Sequence, residues 1–164
     1  MKTPRPLLQK RLRLYSVTNK YPGSTIMNID TQQLTVYFDD CVGSLSNVTS
    51  ILSNHAINII AMTASGDNKN GAAHIVADKT ILACNILRNH GYKVDIEDVI
   101  CLKVCNVAGA LHKSLKMLAQ HDIDIEYIYA FAADAGTGTA VIKCNDCHQA
   151  KIVLTAHCKE LMLQ

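Results

Sequence analysis

Apolar residues alternate with polar ones at Leu34, Val36 and Phe38, and the alternation returns at Ile100, Leu102 and Val104. A period of two buries one face of a strand and leaves the other polar. After the first of these strands, over 34–39, the period lengthens. Leu45, Val48 and Leu52 then share one face of a helix over 44–55. A second strand is expected at 57–63. The cluster Asp67-Asn68-Lys69-Asn70-Gly71 reads as a turn. A third strand at 72–77, a helix at 79–90 closed by Gly91, and a fourth strand at 92–96 complete the set. The order is βαββαβ, the split-βαβ arrangement of a four-stranded antiparallel sheet with two helices on one face.

The chain then repeats itself. Shifted by 66 positions, "GSLSNVTSILSNHAINI" (Gly43 to Ile59) lies over "GALHKSLKMLAQHDIDI" (Gly109 to Ile125) without a gap, and six of the 17 positions are identical. The second unit starts at Val99, and its last strand is expected at 159–163. Only Glu97-Asp98 separates the units. The predicted fold is α+β, two tandem ferredoxin-like βαββαβ units packed side by side. The expected division is a basic N-terminal extension (1–31), a first domain (32–97) and a second (98–164).

Charge refines this picture. Of 16 Lys and Arg residues, six fall within residues 1–29, which carry no acid. The remainder has 10 basic against 14 acidic residues, a net charge of −4. The folded body therefore lacks the basic face that nucleic-acid binding needs. Aromatic residues are 5% and Trp is absent, which argues against a base-stacking platform. No apolar run is long enough to cross a membrane. The N-terminal stretch has no apolar core of a secretory signal, so reduced thiols and a cytoplasmic location are expected. The extension itself is expected to be dispensable, with Met27 a natural alternative start.

Seven cysteines raise the question of chemistry. Cys144-Asn145-Asp146-Cys147-His148 has the C-x-x-C-H spacing of c-type haem attachment. Haem would need a pocket, a distal ligand and an export signal, none of which the sequence supplies. Zinc shared with His157 and Cys158 fails on distance, since ten helical residues span roughly 15 Å. In the 66-residue register Cys147 falls on apolar Ile81, which reads as a small core residue. A redox pair at a helix N-terminus remains open. Cys101 and Cys105 lie about 13 Å apart along one strand, too far to bond. His55 and His121, paired at helix ends, read as partners of the C-terminal dipole.

The turn before the first helix of each unit is more informative: "DDCVGSL" (Asp39 to Leu45) and "CNVAGAL" (Cys105 to Leu111). Each has an acid or amide, two residues, then Gly, a small residue and Leu. Glycine allows a close approach to the backbone, and helix N-terminal N–H groups suit a carboxylate. Asp40 or Asn106 offers oxygens for an ammonium group. The pattern fits an α-amino-acid site, or simply a tight strand–helix turn.

These segments resemble ACT domains, βαββαβ regulatory modules that bind amino acids. The resemblance rests on Asp40-Cys41-Val42-Gly43-Ser44-Leu45 with Ile57-Asn58-Ile59, and on Asn106-Val107-Ala108-Gly109-Ala110-Leu111 with Ile123-Asp124-Ile125. It implies units paired through strand two in an eight-stranded sheet, with ligands at the seam. Asp40, Gly43, Ser44 and Leu45 would then face residues 125–129, with Val42, Asp124, Ile125 and Tyr127 also implied as ligand contacts. Asn106, Gly109, Ala110 and Leu111 would face residues 58–62, with Ala108, Asn58 and Ile59 also implied as ligand contacts. The function so implied is a non-catalytic sensor of free amino acid, without cofactor or metal, acting as a homodimer and able to partner a biosynthetic enzyme. Two other readings are a regulatory subunit of an enzyme such as acetohydroxyacid synthase, and a thiol redox or metal module built on Cys144 and Cys147.

Overall fold

The computed structural model describes residues 27–39, 41–66, 69–132 and 136–157. Along the chain run β1 (Met27–Asp39), α1 (Ser44–Asn54), β2 (Ile59–Gly66), β3 (Asn70–Ala77), α2 (Thr80–Asn89) and β4 (Lys93–Cys105). Then follow α3 (Ala110–Gln120), β5 (Ile125–Ala132), β6 (Thr137–Cys144) and α4 (Cys147–Ala156). All strands pair antiparallel in one sheet of order β2-β3-β1-β4-β6-β5. The fold is α+β, two tandem ferredoxin-like units side by side. The segments 1–26 and 159–163 lie outside the described residues.

β4 serves both units. The strands expected at 92–96 and from Val99 run as one, because Glu97 and Asp98 stay in register with Gln33 and Gln32 of β1. β1 likewise begins at Met27 rather than Leu34, pairing its early residues with the second half of β4. Their register shifts between Asn28 and Thr31, and such irregularities bend a strand.

Even-numbered positions of β1 and β4 face the helices. Leu34 and Val36 pack with Val48 and Leu52 of α1, and with Ala83 and Leu87 of α2. Ile100 and Leu102 pack with Leu118 of α3 and with Ala150 and Leu154 of α4. Each helix ends on a histidine. The Nδ1 atoms of His55, His90, His121 and His157 lie 2.8–2.9 Å from the carbonyl oxygens of Ile51, Ile86, Met117 and Val153. These rings meet edge to face in pairs, His55 with His90 and His121 with His157. They cap helix C-termini, as expected for the two singled out.

The helix-free side of the sheet is closed on itself. His74 of β3 and Tyr127 of β5 are four strand steps apart in the sheet order. A flat sheet would hold them about 19 Å apart, yet their rings stack with centroids at 4.6 Å. The sheet therefore bends until the two units' helix-free faces meet, with the helices outside. Ala61, Val76, Val99 and Val141 form the apolar part of this inner seam.

This arrangement corrects the expected eight-stranded sheet. β2 and β5 sit at opposite edges of six strands and do not pair with each other. The repeat register also changes. β5 follows β2 at an offset of 66, but β6 and α4 follow β3 and α2 at 67. One residue inserted between β5 and β6 accounts for the difference. Cys147 thus matches Thr80, not Ile81, and Ile81 is 58% exposed rather than facing the sheet. Cys147 is nonetheless a core residue, 9% exposed. Cys144 ends β6, and the α4 N-cap is Asp146.

Candidate functional site

The two glycine turns have the same backbone shape. Gly43 is the N-cap of α1 at φ 94°, ψ −10°, and Gly109 is the N-cap of α3 at φ 90°, ψ −13°. Glycine suits this left-handed conformation because it has no β-carbon to clash. Ser44 N donates to the Cys41 carbonyl at 3.1 Å, and Ala110 N to that of Val107 at 3.2 Å. Neither N-cap supplies a side-chain acceptor to the first helical turn, whereas Asp146 does so for α4, accepting from Gln149 N at 2.8 Å. Nothing in the protein lies within 4 Å of a β-carbon built at Gly43 or Gly109. The space over each glycine is open.

Beside the first turn lies a cleft of about 560 Å³. The end of β1 contributes Tyr37, Phe38 and Asp39; the turn contributes Cys41 and Ser44. Asn70 and Gly71 enter from β3, Gly91 and Tyr92 from the α2–β4 connection, and Lys93 from the start of β4. Lys93 lies opposite Tyr37 in the strand pairing, with Nζ 4.6 Å from the centre of its ring. Burial, then the Asp95 carboxylate, push the Tyr37 phenol pKa up. Phe38 lies opposite Gly71 and covers it; a β-carbon there would collide with the ring. Ser44 Oγ donates to the Asp39 carbonyl at 2.7 Å and approaches Cys41 Sγ at 3.0 Å. The cleft thus presents a helix N-terminus and an ammonium group together with a carboxylate. Cavities of this volume take small ligands.

The strand-two residues are fixed through their backbones. Asn58 N donates to Asp78 Oδ1 at 2.9 Å, and Asp78 N returns a bond to the Asn58 carbonyl. In the second unit Asp124 N donates to Asn145 Oδ1 at 3.1 Å, and Asn145 N to the Asp124 carbonyl. The side chains of Asn58 and Asp124 are exposed. Ile59 and Ile125 pack on the edges of the two cores.

Of the residues singled out in sequence, Val42, Gly43, Ser44 and Leu45 come together at turn one, and Ala108, Gly109, Ala110 and Leu111 at turn two, beside Asn106. Asp40 lies outside the described residues. The turns and the opposite strand two are not brought together within the chain. Tyr127 instead reaches Gln33, six residues and about 20 Å of strand before Asp39.

There Tyr127 joins a polar network that sequence reading missed. Gln33 and Thr35 are 0% and 3% exposed. Gln33 Nε2 donates to Tyr127 OH at 2.5 Å, and Tyr129 OH donates to Gln33 Oε1 at 2.9 Å. Thr35 Oγ1 donates to Glu97 Oε2 at 2.6 Å and lies 3.0 Å from His74 Nδ1. Burial pushes the His74 pKa down, against the opposing pull of Glu97. Burial also raises the Tyr127 phenol to about 12. Gln33 and Thr35 lie on the polar face of β1, opposite the one that carries Leu34, Val36 and Phe38; the bend of the sheet buries them.

A duplicated βαββαβ unit, with a left-handed glycine opening the first helix of each copy, defines the class of ACT-type modules. The sequence from 27 to 162 matches the ACT domain pair family, and the chain belongs to it. The fold is similar to protein BT0572 from Bacteroides thetaiotaomicron, with 27% identity and a TM-score of 0.74 over 78% of this chain and 88% of that one. It is also similar to the regulatory subunit of aspartate kinase from Thermus thermophilus, at 16% identity and TM-score 0.66 over 85% and 97% of the two chains. Aspartokinase III of E. coli, solved with lysine and aspartate, shares the fold at 16% identity and TM-score 0.56, over 89% of this chain and 35% of that one. No curated relative matches the sequence.

Proposed function

We propose that the protein is a cytoplasmic regulatory sensor that binds a free α-amino acid at two unequal sites, one at each glycine turn. The observation that carries this reading is the cleft at Gly43. Its open helix N-terminus and Lys93 suit a carboxylate, and the Asp39 carboxylate suits an ammonium group. A helix N-terminus alone contributes about 0.3–1 kcal/mol to a bound carboxylate. Ammonium pairing and side-chain burial must supply the rest of about 5–7 kcal/mol, a Kd from roughly 10 μM to sub-millimolar. The sites differ because Ser44 is replaced by Ala110 at the second turn.

In this reading the strand-two seam forms between copies. β2 and β5 are free edges of the sheet among the described strands, and they carry Ile60, Met62, Ile128 and Phe131, each 37–42% exposed. Pairing such an edge with a second copy would extend the sheet across the two copies and bring Asn58 or Asp124 toward a glycine turn. A homodimer is the assembly expected.

A second reading is that binding controls a separate catalytic chain. It is supported by the extent of the match to the Thermus regulatory subunit, of which this chain covers 97%. Thermal-shift measurements against the proteinogenic amino acids test the sensor reading directly. A rise in melting temperature with one or a few of them is expected, and a flat response to all of them at millimolar concentration would leave the subunit reading in front.

A further inference from the structure

Cys144 and Cys147 form a dithiol that the sensing role does not use. Cys144 closes β6, Cys147 opens α4, and their sulfur atoms lie 3.4 Å apart inside the second core. A disulfide needs about 2.05 Å, so closing the bond asks for little more than an ångström of movement. The matching positions in the first unit are Ala77 and Thr80. The pair therefore marks the second unit alone.

The turn between the two sulfurs is wired to the edge strand. Asn145 exchanges two hydrogen bonds with the Asp124 backbone, both at 3.1 Å, just before β5 starts. Cys147 Sγ donates to the Asp98 carbonyl of β4 at 3.2 Å. Converting the thiol to a disulfide removes that donor and shifts the turn that holds Asp124.

From this geometry we propose that Cys144 and Cys147 form a reversible intramolecular disulfide on reaction with hydrogen peroxide, and that the bond loosens the start of β5. Cys147 is the more exposed residue, at 9% against 2% for Cys144, and meets the oxidant first. Its sulfur attacks one peroxide oxygen and the O–O bond breaks. The other oxygen leaves as water with the thiol proton, and Cys147 becomes a sulfenic acid. The Cys144 sulfur then displaces that hydroxyl, forming the S–S bond and releasing a second water. The thiol pair loses two electrons and the peroxide gains them. Burial, and then the neighbouring Cys147, push the Cys144 thiol up to about 12. Cys144 is therefore slow to ionise, and the burial of both residues gives a small oxidant the advantage over a bulky disulfide. A consequence for ligand binding rests on the function proposed above, since Asp124 and Ile125 belong to the strand-two seam.

The test uses the full chain treated with hydrogen peroxide, then iodoacetamide and trypsin. The peptide 144–151, "CNDCHQAK", contains these two cysteines and no other. The expected result is loss of both alkylation tags from that peptide and a mass lower by two hydrogens, reversed by dithiothreitol. A peptide that stays doubly alkylated, or that gains oxygen instead, would overturn the proposal. Hydrogen exchange over 123–126 tests the second half. Faster exchange of the Asp124 amide after oxidation is expected, in wild type but not in Cys147→Ser; equal rates would refute the link to β5. Disulfide formation without any amino-acid binding would count against the sensor reading alone, because the mass measurement needs no ligand.

Discussion

Ser114 is 1% exposed on α3, and its hydroxyl finds no partner among the described residues. The matching position of α1 is Val48, also buried. A buried, unpaired hydroxyl costs about 1–3 kcal/mol, so Ser114→Val should stabilise the protein by about 1 kcal/mol after the small helix cost of a β-branched residue. Urea denaturation would register this as a higher midpoint at unchanged slope; a lower midpoint would mean that the hydroxyl is satisfied. Gly71 makes the opposite case. Its β-carbon would displace the Phe38 ring, so Gly71→Ala should cost about 1–2 kcal/mol and push the ring toward the cleft. Thermal denaturation checks the first effect. At this scale the sequence exposed Gly43 and Gly109, because both lie inside a repeated motif. It did not expose Tyr37, Gly71 or Lys93. They reach the cleft from three separate strands, and no local spacing joins them.

Elements with strong periodicity were legible, and those defined by long-range pairing were not. The helices and the strands around them follow from the spacing of Leu, Ile and Val. Residues 27–33 read "MNIDTQQ", a short alternation that ends in the polar run Asp30 to Gln33, and become strand because β4 lies beside them. Glu97-Asp98 looked like a boundary and is the middle of β4. The inserted residue after β5 was invisible because the identities that fix the repeat end at Ile125. The strand–helix turns carry their own prediction. At φ 94° and 90°, Gly43→Ala and Gly109→Ala should each cost about 1–2 kcal/mol. Each variant should also place a methyl group where a carboxylate would approach. Ligand titration should therefore lose one class of site per variant while circular dichroism stays native. Both sites surviving in both variants would separate the turns from binding.

The bend that joins the two units brings a polar network together around His74, and a pH dependence of stability is expected from it. Folding lowers the His74 pKa because burial disfavours its charged form. Below its unfolded value of about 6.5 the unfolded chain takes up a proton that the folded one resists. Stability is therefore fully present above that pH and falls as pH drops through it. His74→Gln should flatten this slope between about pH 7 and 5, as read by urea denaturation at both ends; an unchanged slope would place the titration elsewhere. The strand order leaves β2 and β5 at opposite edges of the sheet, so in the proposed reading the strand-two seam forms with a second copy. All of this serves a sensor only if an amino acid binds. Isothermal titration calorimetry of the full chain with the proteinogenic amino acids tests that most directly. Saturable heat is predicted from two unequal classes of site, with Kd between roughly 10 μM and sub-millimolar. Absence of heat for every amino acid at millimolar concentration would contradict it.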